Sequence, residues 1–277
     1  MLIDCHAHAF AEKIADKAVQ QLIDYYKIQT INGGRLSDLI NVAKQGRLDA
    51  FILLVAATKP EQVKPANDWI LKIASQSQAE LEQLTGIKPV PRIIPFGTYH
   101  PDDPNWLTEV QRLKTAGIKG IKLHPEFQGI DLADARLNPF FEEISADFIL
   151  MIHVGDPKVS PANLSTPRKV ASILKNFPQL KIIAAHLGGY CFWDEVLEEL
   201  AGKELYLDTS SALPYIQPEI LKKILTKHSH TKILFGSDYP LNTPLKELEL
   251  LDRIPYLSTT SKERIYGLNC AELLNQL

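Results

Sequence analysis

Three cysteines in 277 residues, Cys5, Cys191 and Cys270, are too few and too widely spaced to form a disulfide framework. No CxxC pair is present to suggest a redox or zinc-ribbon motif. Long apolar runs are missing as well. The longest, Phe51 to Ala57, falls far short of the ~20 residues that span a bilayer. Basic residues (30) do not outnumber acidic ones (33), and a formal charge of -3 offers no positive field to nucleic acid. Neither a Gly/Ser-rich linker nor an internal repeat divides the chain. The opening Met1-Leu2-Ile3-Asp4 carries no basic n-region or apolar h-region of a signal peptide. These absences predict a cytoplasmic protein of one domain, 1–277, with a small-molecule substrate and neither nucleic acid nor membrane as partner.

What is present is alternation. Short apolar runs at 2–6, 49–55, 92–97, 118–123, 148–153, 181–186, 203–208 and 231–236 read as strands buried on both faces, as a parallel sheet requires. Helical periodicity fills 11–27, 36–46, 65–82, 104–116, 167–176, 191–201 and 217–227. Asn105 and Thr166 sit where N-caps belong, Gly46 and Gly117 where helices end. Eight strands alternating with helices predict an α/β fold, a (β/α)8 TIM barrel. Helices near 244–251, 260–266 and 269–276 add the last barrel helix and a C-terminal helical extension.

Active-site groups of such a barrel gather where strands end. Strand one ends in Asp4-Cys5-His6-Ala7-His8, and histidines at i, i+2 on a strand share a face. Lys122-Leu123-His124-Pro125, His153-Val154-Gly155-Asp156, His186-Leu187-Gly188-Gly189 and Gly236-Ser237-Asp238-Tyr239-Pro240 end four other strands. Five of the eight histidines thus stand on one rim, with His100 close behind strand three. A polar residue ending an apolar run is costly to bury unpaired, so its recurrence points to a shared ligand. Neutral imidazole is a common ligand for zinc and similar ions. Strand alternation turns Cys5 away from the two histidines, towards the helices. Asp208 is read as a hydrogen-bonding residue of the rim loops. His100, Arg168, Asp156 and Trp193 read as solvated loop residues, His100 and Arg168 within reach of an acidic substrate. His228 and His230 precede the last strand and read as solvated residues of the opposite face.

These motifs, with Tyr266-Gly267-Leu268-Asn269-Cys270-Ala271 near the end, resemble the amidohydrolase superfamily in its amidohydrolase-related branch. That branch includes aminocarboxymuconate-semialdehyde decarboxylase, aromatic-acid decarboxylases and lactone hydrolases. The resemblance covers nearly the whole chain and specifies no reaction. It implies one divalent metal, usually zinc, held by His6, His8, His153 and Asp238, with His186 helping to move a proton. Three nitrogens and a carboxylate also suit manganese or cobalt. Lys122 resembles the lysine that is carboxylated in two-metal members, where His153 and His186 would hold the second ion. Without carboxylation, Lys122 pairs with a barrel carboxylate such as Asp4. His124 is expected to meet substrate, as is His100. Many members are dimers, which makes a homodimer an expectation here.

The leading expectation is a hydrolase opening a lactone, cyclic amide or ester of a small polar metabolite through metal-activated water. Asp238 would accept that water's proton. A non-oxidative decarboxylase of a small unsaturated or aromatic acid is the alternative. An open, water-filled mouth argues for hydrolysis, a deep closed pocket with an arginine for decarboxylation.

Overall fold

Every strand pairing is parallel, as expected of runs that are apolar on both faces. The computed structural model describes residues 1–160 and 162–275. β1 (Ile3–His8), β2 (Ala50–Leu54) and β3 (Arg92–Pro95) pair in that order. β4 (Gly97–Thr98), β5 (Gly120–Leu123), β6 (Ile149–Ile152), β7 (Lys181–Ala184), β8 (Tyr206–Asp208) and β9 (Ile233–Leu234) form a second parallel set. Only Phe96 separates β3 from β4, and its N–H donates to the Leu53 carbonyl (2.9 Å), so the two segments are one strand crossing between sets. At the other seam Cys5 N–H donates to Phe235 O and His8 N–H to Tyr239 O, each at 2.8 Å. Asp238 N–H returns the bond to His6 O (2.8 Å). These bonds close the expected barrel.

Side chains alternate between two cores. Ile52, Met151, Ile183, Tyr206 and Leu234 fill the interior together with Cys270 and Leu273 of the C-terminal helix Asn269–Asn275. Phe51, Ile121, Leu150, Ile182, Leu207 and Phe235 point outward to the helices. The extension therefore reaches the apolar interior, as a plug. Residue 276 of the helix read from sequence lies outside the described residues.

One bulge corrects the reading of β1. The register slips between Asp4 and Ala7. Cys5 consequently packs with the interior residues rather than between strand and helix. Its neighbour Asp4 accepts Ser237 Oγ–H (2.5 Å), Ser237 N–H (3.0 Å) and His6 N–H (3.0 Å), tying the bulge to the last strand.

Helix limits mostly agree within a few residues. The segment 65–82 is two helices, Val63–Ala74 and Gln78–Thr85, because Ser77 and Glu80 form a capping box that starts a new one. A further helix, Asn138–Ile144, was not apparent in the sequence; it is short and buries Phe140, Phe141 and Ile144. Thr166 caps its helix, whereas the Asn105 side chain makes no capping bond. Gly117 is left-handed (φ 73°), but Gly46 stays right-handed and Arg47 takes the positive φ instead. Among the described residues no helix is long and apolar enough to cross a membrane.

His228 is buried rather than solvated, and His230 is half-buried and hydrogen-bonded. His228 is buried, accepts Gly202 N–H at Nδ1 (3.1 Å) and donates from Nε2 to Leu205 O (3.1 Å). His230 bonds Ser261 Oγ and Leu225 O. Burial lowers the His228 pKa below its usual 6.5, so the folded chain holds it neutral while the unfolded chain protonates. Its stabilising contribution is full above pH 6.5 and fades as pH falls. His228→Ala should cost about 2 kcal/mol at pH 8 by leaving the buried Leu205 carbonyl without its donor. That cost should shrink by pH 5. Urea unfolding at both pH values checks this, and a cost independent of pH would contradict it.

Candidate metal centre

The inward-facing positions change character at the strand ends. Below are Met151, Ile183, Tyr206 and Leu234; above them the same strands present His153, His186, Asp208 and Asp238. Lys122 of β5 joins this polar layer and is fully buried. Hydrogen bonds must replace water there, and they do.

His6 Nε2 lies 3.2 Å from His8 Nε2 and 3.4 Å from Asp238 Oδ1, and His8 Nε2 lies 3.9 Å from the same oxygen. Ligands about 2.1 Å from a tetrahedral ion stand roughly 3.4 Å apart. The three atoms therefore fit an ion of that size, and the expected trio of His6, His8 and Asp238 is assembled. Asp238 Oδ2 is turned aside to accept Ser211 Oγ–H (2.5 Å), which leaves Oδ1 facing the imidazoles.

Asp208 supports the trio from below. Its Oδ2 accepts from His6 Nδ1 (3.0 Å). Its Oδ1 accepts Ser210 Oγ–H (2.5 Å), Ser210 N–H (3.0 Å) and His186 N–H (3.0 Å). A proton held on Nδ1 leaves the Nε2 lone pair of His6 for a metal. Asp208, His6 and His186 also satisfy the spacing of a cation site. The Ser210 hydroxyl, 2.9 Å from His6 Nδ1 and 3.1 Å from His186 Nδ1, fills its centre. This second group is a hydrogen-bonded support.

His153 stands apart from the trio. Its Nε2 donates to Gly155 O (3.1 Å), so Nδ1 accepts from His186 Nε2 (2.9 Å). His186 Nδ1 lies 2.8 Å from the Ser210 carbonyl. Neutral His186 donates to His153 alone. Nδ1 then faces the Ser210 carbonyl without a proton, and a second proton on His186 would complete that bond. Trp193 Nε1–H holds the His186 carbonyl (2.9 Å), which places this indole inside the loop rather than in solvent.

His124 stacks on His153 (centroids 3.8 Å apart), accepts Phe127 N–H at Nδ1 (3.4 Å) and donates from Nε2 to Tyr26 Oη (3.2 Å). Tyr25, Tyr26 and Phe127 meet edge to face above it, and Tyr25 OH donates to the buried Asp156. His124, Glu126 and His153 form a third group of suitable spacing. Both Glu126 oxygens there already accept from Ser165, through N–H (3.0 Å) and Oγ–H (2.6 Å). His100 does not reach the centre: it is buried, Nε2 donates to Gln128 O (3.2 Å) and Nδ1 accepts Asp102 N–H (3.2 Å). It braces a loop. Arg168 is engaged with Glu199 outside the mouth.

Lys122 Nζ lies 3.3 Å from His6 Nε2. Asp208 and Asp238 are its carboxylate neighbours, whereas Asp4 is occupied by Ser237 across the seam. Burial lowers the Lys122 pKa to about 8. It also pushes His186 down to about 4, His8 to about 3, and His6, His124 and His153 well below their usual range. The Lys122 charge adds to each of these shifts. The imidazoles are neutral at physiological pH, the state in which they bind metal. Burial raises Asp238 to about 7, against the opposing Ser211 bond.

The sequence pattern of the Amidohydrolase family matches residues 3–276. The chain belongs to the amidohydrolase family. Members bind a divalent metal, and the trio described above is chemically suited to one. No curated protein gives a significant match. Solved structures similar to this amidohydrolase include an uncharacterized TIM-barrel protein of Bordetella bronchiseptica, 14% identical with a TM-score of 0.77 over 99% of this chain and 98% of that one. The 5-carboxyvanillate decarboxylase of Sphingomonas paucimobilis is 16% identical, with a TM-score of 0.66 over 99% and 98%. A dihydroxybenzoic acid decarboxylase of Polaromonas, crystallised with manganese and 2-nitroresorcinol, is 15% identical, with a TM-score of 0.64 over 99% and 96%. At such identities the likeness is one of fold.

Asp208→Asn should weaken metal affinity 10–100-fold, because an amide no longer fixes the His6 tautomer. His6→Ala and His8→Ala should lose the ion altogether. Competition with a chromogenic chelator measures all three, and unchanged affinity in Asp208→Asn would refute the supporting role.

Proposed function

We propose that this chain is a metal-dependent, non-oxidative decarboxylase of a small unsaturated or aromatic carboxylic acid. The observation that carries the reading is the closed mouth, in which buried Lys122 supplies the cation that the sequence reading expects of an arginine. His6, Lys122, His153, His186 and Asp238 are each at most 7% exposed, and Tyr25, Tyr26 and Phe127 lie over His124. A carboxylate brought into such a place exchanges water for fixed groups, and loss of CO2 disperses its charge. The solved decarboxylases of the same fold support this reading.

His6, His8 and Asp238 would hold the ion, with His153 one ring away as a further ligand if its Nε2 leaves the Gly155 carbonyl. Zinc fits the donor set, and manganese or cobalt is compatible with it. Bound there, a divalent ion supplies Lewis-acid charge for a substrate oxygen. The chain's own residues handle the proton. The bond from carbon to carboxylate breaks, CO2 leaves, and the electron pair stays on carbon, which must then take up one proton. Asp238 and His186 are the two proton carriers beside the ion: Ser211 holds the first, His153 and the Ser210 carbonyl the second. Lys122 contributes a buried positive charge that favours an anionic substrate. A carboxylated Lys122 bridging two ions is a separate proposal that metal stoichiometry would test.

Hydrolysis of a lactone, cyclic amide or ester is the second reading. It is favoured by Asp238, whose Oδ1 faces the imidazoles while Ser211 holds Oδ2, so that one carboxylate would both ligate the ion and accept a proton from water.

The test uses protein reconstituted with Zn2+ or Mn2+. CO2 release is followed from 2,6-dihydroxybenzoate and 5-carboxyvanillate, and ring opening from dihydrocoumarin. CO2 release that Asp238→Asn abolishes, with its circular dichroism unchanged, is the expected result. Ring opening without CO2 would establish the second reading. Near-normal turnover by Asp238→Asn would remove Asp238 from the mechanism.

A further inference from the structure

A cavity of about 260 Å3 adjoins the metal centre, between the loop that follows β8 and the helix Pro244–Asp252. Its inner end is Ser211, the residue whose hydroxyl fixes Asp238. Cavity and centre thus share one side chain as a wall. Ser211 has a left-handed backbone (φ 49°), a conformation unusual for a non-glycine residue and frequent at working sites.

Lys246, Glu249 and Arg253 line the outer wall at i, i+3 and i+7, along one face of the helix and its end. Among the described residues no salt bridge engages Lys246 or Arg253. Arg35, Arg112, Arg136, Arg168 and Arg264, by contrast, are each paired with a carboxylate. Glu249 offsets one of the two charges, so the wall is cationic by one. Asn242 also lines the cavity, and buried Glu247 accepts its amide hydrogen (2.9 Å), which fixes its position. Tyr215 supplies an aromatic surface and meets Tyr190 edge to face at 5.7 Å, and Tyr190 in turn faces His186 at 6.0 Å. Tyr215 gives the cavity one aromatic wall, the exposed Lys246 and Arg253 give it a cationic rim, and Ser211 stands between it and Asp238.

We propose that this cavity holds the distal, anionic end of the substrate, with Lys246 and Arg253 as its specificity-determining residues. The substrate class is then a diacid: one carboxylate at the centre, a planar unsaturated or aromatic body against Tyr215, and a second anionic group on the helix face. The proposal rests on the reading of the adjoining centre as the place of reaction, whether by decarboxylation or by hydrolysis.

Calorimetry on the metal-loaded full chain tests it with terephthalate against benzoate, and 5-carboxyvanillate against vanillate. The wild type should bind each diacid at least tenfold more tightly than its monoacid. Lys246→Gln/Arg253→Gln should bring that ratio near one while leaving monoacid affinity and metal content unchanged. Arg253→Lys should keep part of the preference, which a merely structural role would not give. A ratio near one in the wild type, a ratio unaltered in the double variant, or no binding of any probe would overturn the proposal. If the preference is present but no CO2 is released, the subsite stands and the decarboxylase reading falls.

Discussion

The carboxylate of Asp208 is the constraint on which the centre depends. It is fully buried and accepts four hydrogen bonds, from the His6 ring, the Ser210 hydroxyl and two backbone N–H groups. Those bonds compensate for the water it has lost, which an isolated buried charge could not do without. In return it fixes the His6 tautomer, the position of His186 and the loop that carries Ser210 and Ser211. Ser211 then turns Asp238. A single anion in the interior therefore orients groups from the ends of β1, β7 and β9.

Lys122 is the counterweight to this anion. An ammonium group fully buried near five imidazoles would be costly without Asp208 and Asp238 nearby, and its pKa falls despite them. Its charge discourages protonation of every surrounding histidine. The polar layer thus keeps its imidazoles available as lone-pair donors while remaining close to balanced overall.

Much of this was legible in the sequence because the barrel writes its pattern in apolar runs. All eight predicted strands correspond to observed ones, and the histidines at their ends converge as strand polarity requires. Residues whose role depends on pairs distant in sequence were harder to place. Asp208 is the hydrogen bonder that the sequence suggests, but its bond to the His6 ring, 202 residues away, has no local mark. Cys5 faces the interior against the alternation of its strand, because a bulge leaves no mark in a single sequence. His100 and His228 look like surface residues until the backbone carbonyls that occupy them are seen. The cover of Tyr25 and Tyr26 comes from a helix whose sequence says nothing of where it folds back.

The left-handed residues at the strand ends carry one more consequence. His186, Leu187, Ser211 and Asp238 all have positive φ, between 49° and 62°, and none is glycine. Such conformations cost of order 1–3 kcal/mol each and persist only where the surroundings over-determine them. The binding geometry is consequently a property of the closed barrel and not of its ligand residues. A peptide or smaller scaffold carrying the same histidines and aspartate would relax out of register. The centre cannot be transplanted without its frame, and it should disassemble together with that frame rather than before it.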